Sequence, residues 1–212
     1  MSTTYDCRDH NPDAITAAVS ALRRGELVVL PTDTVYGLAA DAFSPQAVAK
    51  LLEAKGRGRE APTPVLVPAA RTLDGLVDVM PMHARELAEA FWPGGLTLVV
   101  RHAATLAWDL GETKGTVAVR MPLDPVALAI LDQTGPLAVS SANRTGLTPA
   151  TDAAEAARQL GTAVDVYLDG GPSGDAVPST IVDLTGDVPT VLRAGAVSLA
   201  ELREVVPEVQ ER

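Results

Sequence analysis

Two short polar stretches carry side chains suited to binding an anion. One is the cationic stretch Lys55-Gly56-Arg57-Gly58-Arg59, and the other, about eighty residues later, is Ser140-Ser141-Ala142-Asn143-Arg144-Thr145-Gly146. The glycines remove bulk between the cations, so backbone N–H and guanidinium groups can approach anionic oxygens closely. The second stretch adds hydroxyl and amide groups. We predict that both line one anion-binding pocket. The alternatives are a solvated charged turn for the first stretch and a plain turn for the second.

Four polar residues, Thr32, Asp33, Thr34 and Tyr36, directly follow the apolar run that ends at Pro31. Two interpretations fit them. In the first, they form a hydrogen-bonded turn in which Asp33 bonds its own backbone. In the second, a threonine hydroxyl and nearby backbone hold a small polar ligand at the end of a strand.

Arg120 ends an apolar strand-like run. Its guanidinium group either reaches past the strand to water or binds a carboxylate through two parallel hydrogen bonds. Ser179 and Arg193 occupy comparable places beside predicted strands. Each of these signals is weak by itself.

Several familiar chemistries are disfavoured by the motif content. A nucleophilic serine needs a base, and none of His10, His83 and His102 lies in a recognisable nucleophile motif. The sequence has no GxxxxGK[ST] loop, no GxGxxG after a strand, and no zinc-type spacing of His, Cys and Asp. A nucleotide would therefore bind in an unconventional pocket, with Mg²⁺ held loosely on its phosphates and no protein metal site.

Composition bounds the class of protein. With 212 residues, 47% of them hydrophobic and 3% aromatic, the chain is long enough for one compact domain with an aliphatic core. The formal charge of −10 disfavours tight non-specific binding to nucleic acid, which depends on Lys and Arg contacts to phosphates. The single cysteine, Cys7, excludes an intrachain disulfide. No membrane-spanning run or signal peptide is recognisable, so we expect a soluble cytoplasmic protein.

Start and stop signals divide the chain into helices and strands. Ser44 and Pro45 precede a helical pattern that ends at Gly56, and Ser198 with Glu201 has the capping-box spacing. Helices are predicted over 11–25, 44–56, 73–79, 84–91 and 124–135 and from 152 and 198 onward, and strands over 26–30, 64–67, 96–101, 116–120, 137–139, 164–168, 180–184 and 190–193. We predict an α/β fold with a twisted, mostly mixed open sheet flanked by helices. Ligands in such folds collect where loops leave strand ends.

Six short motifs follow one another along the chain. They are Pro31-Thr32-Asp33-Thr34-Val35-Tyr36-Gly37-Leu38, Lys55-x-Arg57 with Ser141-x-Asn143, Phe91-Trp92-Pro93-Gly94-Gly95-Leu96-Thr97, Val117-Ala118-Val119-Arg120-Met121-Pro122, Pro178-Ser179-Thr180-Ile181-Val182 and Leu192-Arg193-Ala194-Gly195. In them the chain resembles the YrdC-like family of threonylcarbamoyladenylate synthases. The resemblance implies the short form of that family, a single catalytic domain over 11–206 with terminal tails at 1–10 and 207–212.

The resemblance implies a reaction and its participants. L-Threonine, bicarbonate and ATP would give threonylcarbamoyl-AMP and pyrophosphate, for threonylcarbamoyladenosine modification of tRNA, with Mg²⁺ entering with ATP. Partner proteins would transfer the threonylcarbamoyl group, so stable direct tRNA binding would be dispensable. Two alternatives on the same fold stay open: an RNA-binding or ribosome-maturation module, and a paralogue acting on another carbamoyl or phosphate substrate.

By position, the resemblance also assigns residues. The catalytic cations facing the phosphates would be Lys55, Arg57 and Arg59. The threonine-binding residues would be Thr34, Arg120, Val139 (through its backbone) and Ser179. The ATP-binding residues would be Arg57, Arg59, Thr116, Ser141, Asn143 and Arg193.

The chain departs from the family pattern at two places. The cationic stretch holds an extra Gly-Arg pair, so an ungapped count back from Pro64 puts Arg57 and Arg59, instead of Lys55 and Arg57, on the KxR motif. Both pairs are therefore candidates for the phosphate contact. Pro68 stands where some relatives carry a histidine near the substrate.

Overall fold

Local signals start and end the helices close to the places that the sequence predicts. Ser44 Oγ accepts a hydrogen bond from the Ala47 N–H, and the carboxylate of Asp124 caps its helix in the same way. Gly56 ends the first of these helices with φ 61°, which glycine adopts without strain. The structure is a computed structural model that describes residues 2–8, 11–174 and 177–212.

The described residues form seven α-helices and eleven strands. The helices are α1 (Pro12–Arg23), α2 (Pro45–Lys55), α3 (Leu73–Leu76), α4 (Ala84–Phe91), α5 (Pro125–Thr134), α6 (Ala153–Leu160) and α7 (Leu199–Val205). The strands are β1 (Thr3–Asp6), β2 (Val28–Leu30), β3 (Gly37–Asp41), β4 (Val65–Leu66), β5 (Leu96–Arg101), β6 (Thr116–Arg120), β7 (Leu137–Ser141), β8 (Val166–Asp169), β9 (Thr180–Asp183), β10 (Thr190–Arg193) and β11 (Gln210–Glu211). Within these ranges every helix is too short or too polar to cross a membrane.

The strands pair into one sheet across the described residues. Its order is β1-β8-β2-β3-β7-β4-β6-β5-β9-β10-β11. Five neighbouring pairs are parallel, namely β1–β8, β2–β8, β4–β6, β5–β9 and β10–β11, and the others are antiparallel. The predicted α/β fold with a mixed open sheet and flanking helices is confirmed.

Two parts of the prediction need correction. The sequence signals predict no strand between residues 30 and 64, but Gly37 begins β3, an interior strand between β2 and β7. Residues 3–6 and 210–211, placed in the predicted tails, form edge strands that pair with β8 and β10. As an edge strand, β1 exposes most of its side chains. Its sequence therefore shows little alternation of apolar and polar residues from which a strand could be predicted.

Helices cover the two halves of the sheet differently. Around β2, β3 and β8, α1 and α5 pack on one face, and α2 and α6 pack on the other. Around β5, β6 and β9, the apolar side chains of one face pack against α3, α4 and α7. Among the described residues, the opposite face of those three strands has no such helical cover, and it is there that polar side chains gather.

Candidate active site

The larger of two neighbouring cavities, about 600 Å³ and here called the large cavity, lies on that open face. Alternate residues of successive strands line it, because every second side chain of a strand points to the same face. The pairs are Pro64 and Leu66, Ala118 and Arg120, Thr97 and Val99, and Ser179 and Ile181. The site therefore spreads over a sheet face, with loops at its margin, and is not confined to strand ends.

A smaller cavity of about 400 Å³, here called the small cavity, adjoins the large one. The cationic stretch and residues 141–146 supply most of its lining. Arg57 and Ser141 line both cavities and so mark the boundary between them. The two polar stretches therefore meet, as the sequence predicts.

Lys55 is buried and lies beneath the second polar stretch. Its Nζ donates to the backbone carbonyls of Ser141 at 2.5 Å and Asn143 at 2.7 Å, and to Asn143 Oδ1 at 3.4 Å. Burial, with a smaller effect of nearby Arg57, lowers the pKa of Lys55 to about 8. The ammonium group has three N–H donors and all three are directed at protein oxygens. Lys55 thus holds the Ser141–Asn143 turn in place.

Arg57 and Arg59 occupy different environments. Arg57 Nη1 lies 3.3 Å from Ser140 Oγ, and burial lowers the pKa of its half-buried guanidinium. Among the described residues it forms no ion pair. Arg59 is exposed, forms an ion pair with Asp109 at 2.7 Å, and lines neither cavity. The structure therefore places Lys55 and Arg57 at the cavities and leaves Arg59 outside them.

Arg120 is the most buried cation of the large cavity. Its Nε donates to the Gly94 carbonyl at 2.9 Å, Nη1 to Thr34 Oγ1 at 2.9 Å, and Nη2 to Asp33 Oδ1 at 2.5 Å. Burial lowers the pKa of Arg120, and Asp33 opposes that shift. Since a guanidinium group has five N–H donors, two of them, one on each terminal nitrogen, are uncommitted to these bonds. They form the kind of fork that binds a carboxylate.

The hydroxyl protons beside Arg120 are already in use. Thr32 Oγ1 donates to the Val35 carbonyl at 2.7 Å, so in the 3.1 Å contact with Thr34 Oγ1 it is Thr34 that donates. Thr34 Oγ1 also accepts from Arg120. Thr34 therefore orients the guanidinium group, and its own proton is not free for a ligand.

A second network lines the same cavity. Arg193 donates through Nη2 to the Ser179 carbonyl at 2.7 Å and to Ser179 Oγ at 3.1 Å, and Ser179 Oγ lies 2.8 Å from Thr97 Oγ1. Burial and the nearby Arg120 charge lower the pKa of Arg193. The charged form of such a cation is stabilised when an anion binds beside it.

Gly195 lets the chain after β10 pack against this network. A Cβ atom at Gly195 would lie 2.2 Å from the Pro178 carbonyl oxygen and 2.6 Å from the Ser179 carbonyl carbon. Any larger residue would push the backbone that carries Ser179. The Arg193-Ala194-Gly195 segment thus serves packing as well as charge.

Of three other predicted site residues, two line a cavity and one does not. Val139 lines the large cavity, but its N–H donates to the Pro64 carbonyl. Asn143 lines the small cavity, while its amide nitrogen donates to the Arg144 and Leu147 carbonyls. Thr116 begins β6 and lines neither cavity, and its hydroxyl donates to the Thr113 carbonyl.

Sequence reasoning missed two residues that the structure brings into the site. The sequence pattern offers Asp33 only as a turn residue, whereas in the structure it is the ion-pair partner of Arg120. Thr97 belongs to a motif already noted, yet nothing in the local pattern connects it to Ser179, 82 residues away. An alternating polar residue in the otherwise apolar strand 96–100 is the one signal that could have found it. Pro68 lies outside both cavities, and Leu66 lines the large one.

The fold and site define an α/β protein with a cationic, partly apolar cavity on one face of its sheet. The family model for Sua5, YciO and YrdC proteins, described as telomere recombination, matches residues 20–195. The chain belongs to this family, and the resemblance seen in its motifs is confirmed.

Relatives and solved structures agree with this membership. A Mycobacterium tuberculosis (strain H37Rv) protein, provisionally named a threonylcarbamoyl-AMP synthase, is 56% identical over 208 residues, which cover 97% of this chain and 96% of that protein. The threonylcarbamoyl-AMP synthase of Bacillus subtilis (strain 168) is 37% identical and is matched over 92% of this chain and 57% of its own length. The crystal structure of Pyrococcus abyssi Sua5 complexed with L-threonine has a TM-score of 0.94 and 35% identity, covering all of this chain and 63% of that one. The chain thus spans about three fifths of the latter two proteins.

Proposed function

We propose that this chain is a threonylcarbamoyl-AMP synthase, which converts L-threonine, bicarbonate and ATP into threonylcarbamoyl-AMP and pyrophosphate. The observation that carries the proposal is the Arg120 fork, which lies in a cavity that shares Arg57 and Ser141 with a second, cationic one. One cavity suits an amino-acid carboxylate and the other suits phosphates. The names of the relatives and the L-threonine bound to the Pyrococcus abyssi protein support the same substrates.

The reaction has two steps that balance. The threonine amine forms an N–C bond with the bicarbonate carbon, and water leaves, which gives threonine carbamate. A carbamate oxygen then attacks the α-phosphorus of ATP, and the bond to the β-phosphate breaks to release pyrophosphate. Both reactants of the second step are anions, so charge neutralisation and alignment supply most of the catalysis.

Named side chains would do this work. Arg120 would hold the threonine carboxylate through its two uncommitted N–H groups, with Asp33 and Thr34 fixing the orientation of the guanidinium group. Arg57 and the backbone of the cationic stretch would bind phosphate oxygens in the small cavity. Lys55 would act indirectly, by holding in place the turn that carries Ser141.

Mg²⁺ fits this site as an ion carried by the nucleotide. Across the described residues there is no group of three or more His, Cys, Asp or Glu side chains placed to hold a metal ion. Mg²⁺ commonly keeps several waters and binds through substrate phosphates, whose charge it partly neutralises. We propose that it enters with ATP.

Transfer of the product to tRNA would use partner proteins. The formal charge of −10 gives little support to stable direct binding of tRNA, because such binding needs cations that displace phosphate counterions. We therefore propose a cytoplasmic enzyme that hands its product to other proteins.

The test is pyrophosphate release by the purified chain with ATP and Mg²⁺. We expect release only when L-threonine and bicarbonate are both present, and threonylcarbamoyl-AMP should appear in equal amount by mass spectrometry. Release that is indifferent to threonine would instead support a paralogue with another substrate. Salt-sensitive RNA binding without any release would support the RNA-binding alternative.

A further inference from the structure

A loop between β5 and β6 holds the chain that follows the cationic stretch. This loop comprises residues 102–115 and is here called the β5–β6 loop. Its Glu112 N–H donates to the Arg59 carbonyl at 2.7 Å, and its Leu110 carbonyl accepts from the Thr63 N–H at 3.0 Å. Two backbone hydrogen bonds therefore fix the direction in which the chain leaves the cationic stretch.

Gly111 brings the two segments into close contact. Its φ of 102° lies in a region that residues with a Cβ atom rarely adopt, and a Cβ there would lie 2.8 Å from the Arg59 carbonyl oxygen and 3.3 Å from Pro62 Cα. The neighbouring Asp109 Oδ1 accepts from Arg59 Nη2 at 2.7 Å and from the Gly111 N–H at 3.2 Å. One carboxylate thus shapes the turn of the loop and pairs with the Arg59 guanidinium group outside the cavities.

The β5–β6 loop is itself anchored to the rest of the fold. Leu110 is 1% exposed, and the Ala103 N–H donates to the Leu76 carbonyl at 2.8 Å. The Trp108 ring stacks on Phe43 with the ring centroids 5.7 Å apart. The loop is therefore a fixed support for a neighbouring segment that is mostly exposed.

Arg57 lies between two fixed points of the backbone. Its own N–H donates to the Leu52 carbonyl, at the end of α2, at 2.9 Å, and two residues later the β5–β6 loop binds the Arg59 carbonyl. Gly58 stands between them, and its backbone is free to rotate because it has no side chain. Among the described residues the Arg57 side chain has one hydrogen bond, the 3.3 Å contact with Ser140 Oγ. Its direction into the cavities therefore depends on the backbone on both sides of it.

We propose that the β5–β6 loop positions the cationic stretch so that Arg57 faces the nucleotide phosphates and Arg59 is kept outside the cavities. Gly111 and Asp109 are positioning residues, since they line neither cavity and act through the backbone and side chain of Arg59. This inference rests on the proposed function and extends it to what decides which arginine binds phosphate.

The first test replaces Gly111 by alanine. The added Cβ atom would push the Arg59 carbonyl away, so the Kd for ATP with Mg²⁺ should rise about tenfold or more, as for the loss of one hydrogen bond to a charged group. The Kd for L-threonine should stay within about twofold, and calorimetric titration measures both.

Gly115→Ala is the matched control. Gly115 lies in the same loop with φ 80°, but a Cβ atom there would have no described atom within 4 Å beyond its chain neighbours. This variant introduces the same kind of backbone strain without a contact to the cationic stretch, so its Kd for ATP should stay within about twofold. The proposal is wrong if Gly111→Ala and Gly115→Ala weaken ATP binding equally.

Asp109→Ala is a second variant, which keeps the proposal testable if Gly111→Ala does not fold. It removes both the ion pair with Arg59 and the bond to the Gly111 N–H, and the Kd for ATP should rise about three- to tenfold. Asp74→Ala is its control, because Asp74 forms an exposed ion pair with Arg85 at the same distance of 2.7 Å and lines neither cavity. A Kd that Asp109→Ala leaves unchanged, or that both variants raise equally, would overturn the role of Asp109.

Combination with Arg57→Ala distinguishes positioning from a general loss of structure. If Gly111 acts through Arg57, then Gly111→Ala added to Arg57→Ala should raise the Kd for ATP less than about twofold further, because residues that act through one contact are not additive. Multiplication of the two separate effects would contradict the proposal.

Hydrogen exchange of the unliganded protein separates this inference from the proposed function. If the unchanged protein releases no threonine-dependent pyrophosphate, the proposed function fails. The amides of residues 56–61 should nevertheless exchange about tenfold faster in Gly111→Ala than in the unchanged protein or in Gly115→Ala, because the support of that segment is lost. Equal exchange in the three proteins would overturn the positioning role of the β5–β6 loop.

Discussion

Replacing Arg120 by alanine should damage stability and threonine binding for separate reasons. The side chains of Arg120 and Asp33 are 8% and 15% exposed, and the Asp33 carboxylate also accepts from the Leu123 N–H at 2.8 Å. Without Arg120 that backbone donor alone would remain for a mostly buried carboxylate. Breaking a buried ion pair in this way costs about 3–5 kcal/mol of unfolding free energy, a large part of the roughly 5–15 kcal/mol typical of a domain.

The loss of binding has its own magnitude. Two uncommitted N–H groups of Arg120 would bond the threonine carboxylate, and each hydrogen bond to a charged group contributes about 1.5–3 kcal/mol. Arg120→Ala should therefore weaken L-threonine binding by at least about 100-fold and change ATP binding little. Arg120→Lys keeps the charge but lacks the fork, so it should recover stability better than it recovers threonine affinity.

The double variant Asp33→Asn/Arg120→Ala separates the two effects. The amide oxygen that it introduces would still accept from the Leu123 N–H, and the unpaired charge would be gone. The double variant should therefore regain about 1–3 kcal/mol over Arg120→Ala while threonine binding stays lost. Urea unfolding measures the stabilities, and calorimetric titration measures both affinities. The reasoning is refuted if the double variant is no more stable than the single one, or if ATP and threonine affinities fall together.

Two further predictions concern the cationic stretch. Arg57→Ala should raise KM for ATP about tenfold or more, because a half-buried cation at both cavities is lost. Arg59→Ala should change KM for ATP less than about threefold, because Arg59 is exposed, pairs with Asp109 and lines neither cavity. Steady-state kinetics that show the larger effect for Arg59→Ala would reverse the assignment. The pKa of Lys55 is about 8 in the folded protein and 10.5 for an ordinary lysine. Between these pH values the unfolded chain binds more protons than the folded one, so the free energy of unfolding should rise with pH. Lys55→Met should remove this rise in urea titrations at pH 8, 9 and 10, and equal pH slopes for the two proteins would contradict the burial of an ionisable Lys55.

Much of the secondary structure followed from the sequence because its signals are local. The caps at Ser44, Asp124 and Ser198 each lie within three residues of the N–H group that they accept from. The strand 96–101, which follows the break at Trp92-Pro93-Gly94-Gly95, was predicted at its observed bounds. The interior strand β3 was missed because its Gly-Leu-Ala-Ala-Asp sequence has neither β-branched residues nor an alternating pattern.

The α/β class and the two polar stretches could be predicted from the sequence because each depends on residue types within a short window, and six motifs in order were enough to predict the family. The positions of Lys55 at the Ser141–Asn143 turn, of Arg59 outside both cavities and of Thr97 beside Ser179 became visible in the folded structure alone. Those outcomes depend on hydrogen bonds between residues 50 or more positions apart, and such partners are chosen by the pairing of strands and the packing of helices. The order of β7, β4, β6, β5 and β9 in the sheet is what brings these distant side chains to one face.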